Sequence, residues 1–74
     1  MTMLNTNEKY IVCVGSEYLV AHPYFRSLFI RFSNSPYDAC PFDDFTIAQR
    51  FAQKLGGIVM KHNRVTGELI GGWI

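Results

Sequence analysis

A helix, its stop signal and the start of a strand follow one another without interruption in Phe45-Thr-Ile-Ala-Gln-Arg-Phe-Ala-Gln-Lys-Leu-Gly-Gly-Ile-Val59. Ala48, Phe51, Ala52 and Leu55 recur at the i, i+3, i+4, i+7 spacing that sets them on one helical face. Thr46 stands where an N-cap is needed, and Gln49, three residues on, completes the pattern of a capping box. Gly56 offers the left-handed residue that closes a helix, and the β-branched Ile58 and Val59 favour extended chain. A helix of this length, about 14 Å, needs a sheet for its apolar stripe, and the flanking sequence supplies the strands.

Tyr10-Ile-Val-Cys-Val14 reads as a first strand. Gly15 and Ser16 make a two-residue turn, and Tyr18-Leu-Val-Ala21 returns antiparallel until Pro23. Phe25 to Phe32 is a third strand, with Arg26, Leu28, Ile30 and Phe32 on one face and Phe29 and Arg31 on the other. Residues 33–44, with Asn34, Ser35, Pro36 and Pro41, form a loop. Its aromatics, Tyr37 and Phe42, are expected beneath the helix, and Asp43 and Asp44 suit a helix N-terminus. Ile58 to His62 is a strand, Asn63 to Gly67 turns, and Glu68 to Ile70 returns toward Trp73. The expected fold class is α+β: an antiparallel sheet of four to five strands with one helix packed on one face, in the order β-β-β-α-β-β. The 74 residues make a single small domain, with residues 1–8 as a flexible leader.

Both faces of the predicted strands carry apolar side chains. Tyr10, Val12, Val14 and Leu19 share one face; Ile11, Cys13, Tyr18 and Val20 share the other. One short helix cannot cover both. The loop, Trp73, a second copy of the chain or a partner protein must hide the remainder.

A chain that is 49% apolar and 15% aromatic has the material for a packed core. A net charge of +1 weighs against a binder that neutralises phosphates and against an acidic imitation of nucleic acid. The first residues lack the basic and apolar regions of a signal peptide, and no apolar run approaches the ~18 residues of a membrane span. The expected location is the cytoplasm, where Cys13 and Cys40 stay reduced.

Four residues have the types of a zinc site: Cys13, His22, Cys40 and His62. Their spacing holds no C-x-x-C or H-x3-H pair. The hairpin register also sets Cys13 and His22 about 13 Å apart, which leaves Cys40 with His62 as the pair to consider. Nucleophilic catalysis would need a thiol beside a histidine and a pocket, and no catalytic residue is assigned. Asp38, Asp43 and Asp44 lack the alternating spacing of a calcium loop. Gly56-Gly57 follows a helix where a phosphate cradle precedes one. Phe25 to Phe32 interleaves aromatic and basic residues as a base-stacking strand would, without the glycines of the RNA-recognition strand motif.

The leading reading is therefore a non-enzymatic protein-binding module without a cofactor. Its candidate anchors are Phe29, Arg31, Tyr37 and Trp73, because aromatics and arginine dominate binding hot spots. A small zinc-binding regulatory protein and a single-stranded nucleic-acid-binding domain are the alternatives. A homodimer at high concentration, formed through a sheet face or the edge of the third strand, is also expected.

Three segments carry a resemblance: Tyr10-Ile-Val-Cys-Val-Gly-Ser-Glu-Tyr-Leu19, Ala39-Cys-Pro-Phe42, and Ala48-Gln-Arg-Phe-Ala-Gln-Lys-Leu-Gly-Gly57 with Ile58-Val59. Together they resemble short accessory proteins of phages and mobile elements of Gram-positive bacteria. Some of those are anti-CRISPR or other anti-defence inhibitors that bind a host protein. The resemblance implies a partner such as a CRISPR effector in the host bacterial cytoplasm, and it carries over no functional residue.

Overall fold

In the computed structural model, which describes residues 7–20 and 31–74, the central strand is β1 (Glu8–Val14). It turns through Gly15 and Ser16 into β2 (Glu17–Leu19), with Cys13 opposite Tyr18 as a two-residue turn requires. β3 (Phe32–Ser33) lies outside β2, with Leu19 opposite Phe32. After the helix α1 (Phe45–Leu55), β4 (Ile58–Asn63) pairs antiparallel with the other edge of β1, and β5 (Leu69–Trp73) pairs with β4. Among the described residues the architecture is one helix on a five-stranded antiparallel sheet of order β3-β2-β1-β4-β5. The α+β class and the element order match the sequence expectation. Residues 25–30 of the expected third strand lie outside the described residues; Phe32 is in β3, and Arg31 O accepts from Val20 N at 2.8 Å. The expected leader is too long by at least its last residue. Glu8 pairs with Asn63 within the sheet, and Asn7 O accepts from Arg64 N at 2.7 Å.

The helix begins two residues earlier than the capping box implies. Asp44 is the N-cap, its carboxylate accepting from Thr46 N at 2.8 Å. A charged acceptor suits the positive end of the helix better than a hydroxyl does, and the shift makes Phe45 the first helical residue. Gln49 is thereby free of capping, and its Nε2 donates to Ile74 O at 2.9 Å. At the other end Gly56 is left-handed at φ 73°, and Gly57 N donates back to Ala52 O at 2.7 Å, the bond of a Schellman stop. Gly57 has a second task. A Cβ there would collide with the carbonyl oxygen of Cys13, so the glycine lets β4 start against the end of β1.

Ala48 and Ala52 are fully buried and bring the helix close to the sheet, where Val12, Leu19 and Val59 meet them with Cys40 and Phe42. Tyr10, Val14, Phe45, Ile47, Phe51 and Leu55 close around this cluster. The helix-facing set of β1 and β2 is thus Tyr10, Val12, Val14 and Leu19, as alternation predicts.

Residues 33–44 do more than connect. Phe42 pairs with Tyr10 through two backbone bonds of 2.9 Å, and Cys40 N donates to Leu19 O at 2.8 Å. This segment therefore continues the sheet beside β1 where β2 has ended. Phe42 packs against Phe51, ring centroids 5.6 Å apart, beneath the helix as expected. Tyr37 does not join it. Tyr37 lies in a 3-10 turn (Pro36–Asp38) and meets His62, which belongs to the opposite sheet face. That face buries Ile11, Cys13 and His62.

Candidate interaction surface

Strand β5 is the outermost strand on its side among the described residues. Its register with β4 shifts by one residue: Met60 faces Gly71, yet Val59 faces Trp73. Without that bulge Trp73 would project to the opposite face of the sheet, because side chains alternate. The bulge turns its indole to the helix side, edge-on to Phe45 at 5.7 Å and to Tyr10 at 6.4 Å. Tyr10 and Phe45 are themselves edge-on at 5.3 Å. Gly71 makes this possible twice over. Its φ is 104°, outside the usual range of residues with a side chain, and a Cβ there would run into the folded-back indole ring. Trp73 remains 40% exposed, with Ile70 at 42% and Ile74 at 81%.

Tyr37 is 54% exposed, and its ring stands edge-on to His62 with centroids 4.7 Å apart. Arg64 fixes it there. Its guanidinium donates to Pro36 O at 3.2 Å, Tyr37 O at 3.0 Å and Ala39 O at 3.1 Å, three carbonyls of one turn. Arg64 is aimed by the turn after β4, in which Asn63 Oδ1 accepts from Val65 N and Thr66 N. Sequence reading assigned this arginine no role. A basic residue next to an Asn-initiated turn is the only sign it gives.

Arg31 lies at the far side of the sheet. It lines an open groove of about 580 Å³ with Glu17, Phe32, Asn34 and Asp38. The structure therefore separates the candidate anchors: Arg31 at the β3 edge, Trp73 at the β5 edge and Tyr37 on the face opposite the helix. Phe29 lies outside the described residues. No family model, curated protein or solved structure matches the chain.

Both thiols are buried and unpaired by disulfide. Burial raises the Cys13 pKa, and Cys13 Sγ donates to Gly15 O at 3.3 Å. Burial also raises the Cys40 pKa, opposed in part by the Arg64 charge. Neither is a ready thiolate at neutral pH. Among the described residues no three His, Cys, Asp or Glu side chains gather as a metal site would need. Cys40 belongs to the helix-side cluster and His62 to the other face, and His22 lies outside the described residues. No helix of the described residues is long and apolar enough to cross a membrane.

Proposed function

We propose that the chain is a non-enzymatic protein-binding module whose contact surface centres on β5. The run Leu69–Ile74 carries the reading: it contains no charged residue, and Ile70, Trp73 and Ile74 are all exposed along an outer strand. An outer strand offers backbone groups to an extended partner segment, and a rigid aromatic beside it supplies an anchor. Trp73 is such an anchor, held on one side by Phe45 and Tyr10 and open on the other. The raised thiol pKa values also disfavour cysteine nucleophilic catalysis.

The partner class we favour follows from the resemblance to phage accessory proteins: a host defence nuclease, with a CRISPR effector as the first to test, bound in the bacterial cytoplasm. Cleavage assays on purified CRISPR effectors from Gram-positive bacteria test it directly. Inhibition by the wild-type chain, relieved by Ile70→Lys, is the expected result. No inhibition of any effector removes the inhibitor reading. Equal inhibition by the variant moves the contact surface away from β5.

A further inference from the structure

We propose that His62 is a proton-operated latch, holding Tyr37 and the 3-10 turn on the sheet while its ring is neutral and releasing them when the ring takes up a proton. His62 is fully buried, and among the described residues neither ring nitrogen has a hydrogen-bond partner. Such a residue is a standing cost that a leucine or phenylalanine at the same place would avoid. The neutral ring is tolerated because Tyr37 packs edge-on against it. An imidazolium would be tolerated far less, since burial penalises a charge more than a dipole.

Charged and titratable groups approach the ring from the neighbouring elements, and among them Arg64 makes protonation worse. On β1, Lys9 is directly opposite His62, paired with Asp43. From the turn after β4, the Arg64 guanidinium lowers the His62 pKa further, after burial. The 3-10 turn contributes Tyr37 and Asp38, and the Asp38 carboxylate accepts from Ser33 Oγ at 3.0 Å. From β5, Leu69 faces His62 and carries no charge; Glu68 before it is exposed. Arg64 also engages the carbonyls of Pro36, Tyr37 and Ala39, so the turn is gripped by the cation that an imidazolium would repel. Release is local. The cluster of Val12, Leu19, Cys40, Phe42, Ala48, Ala52 and Val59 lies on the other side of the sheet, and of these only Cys40 adjoins a carbonyl that Arg64 grips.

The test is a pH titration by NMR on the full chain, with His22→Gln used to assign the two imidazole signals. In the wild type, the ring-to-ring contact between Tyr37 and His62 should vanish as the His62 ring protonates, below its ordinary value of 6.5. Its population should fall about tenfold per pH unit past that point, while the amide signals of Ala48 and Val59 stay in place. In His62→Phe the contact from Tyr37 to position 62 should persist to about pH 5. Three results would overturn the latch: a contact that survives in the protonated wild type, a variant that loses it over the same range, or a helix that melts together with the turn. If His62→Phe does not fold, the wild-type titration alone still decides, through the first and third of these.

Discussion

Arg64 ties two parts of the chain that are distant in sequence, and its value lies in geometry more than in charge. A planar guanidinium reaches three carbonyls at once, which a lysine cannot copy. Arg64→Met keeps much of the stem and removes the donors; we expect a loss of about 2 kcal/mol, read from urea denaturation. Gly71 is a second such residue. Gly71→Ala must strain the backbone and displace the indole, so a loss of about 1–3 kcal/mol is expected. The accompanying signature is a red-shifted Trp73 fluorescence. A variant with unchanged emission would show that the bulge does not depend on the glycine. For His62 the sign follows from its depressed pKa. Below the ordinary value of 6.5 the unfolded chain binds a proton that the folded chain refuses. Stability from this group is therefore complete above that pH and declines as pH falls toward the folded value, by up to about 1.4 kcal/mol per unit. Denaturant midpoints that stay level from pH 7 to 5, set against His62→Phe, would contradict this.

The helix shows which parts of an element a sequence states openly. Its stripe, its glycine stop and the strand beyond were legible because periodicity and Gly-Gly are local signals. Its cap was not, since Asp44 and Thr46 are both good caps and the choice falls to the position of Phe45 against Tyr10 and Trp73. Size also misled. Phe51 is the largest residue of the stripe, but the fully buried contacts are Ala48 and Ala52, and Phe51 sits half-buried at the margin against Phe42. Phe51→Ala should then cost toward the lower end of the usual ~3–5 kcal/mol. Ala52→Leu forces extra volume into a fully buried helix–sheet contact, and a loss of about 1–3 kcal/mol is expected. Thermal melts of the two variants rank them. The bulge in β5 and the clamp by Arg64 were invisible for a related reason. Each is a relation between segments, and Gly71-Gly72 reads equally as a loose tail until Trp73 is seen folded back on it.

At the scale of the whole molecule, the described residues place a helix on one side of the sheet and the turn around Tyr37 on the other, and among them the outer strands are β3 and β5. The two edges differ. The β3 side presents a groove with Arg31, Glu17 and Asp38, whereas β5 presents Ile70, Trp73 and Ile74 without a charge among them. Soluble proteins commonly defend an outer strand with lysine, proline or a bulge. Here only the bulge is present, and it serves to place Trp73. An uncharged strand edge can pair with its own copy about a two-fold axis. We therefore expect a weak homodimer through β5 that would compete with the partner we propose. Ile70→Lys should abolish the dimer with little effect on folding, because Ile70 is already substantially exposed. Light scattering that returns a strict 8.5 kDa monomer over a hundredfold concentration range would remove self-association and leave β5 to a heterologous partner alone.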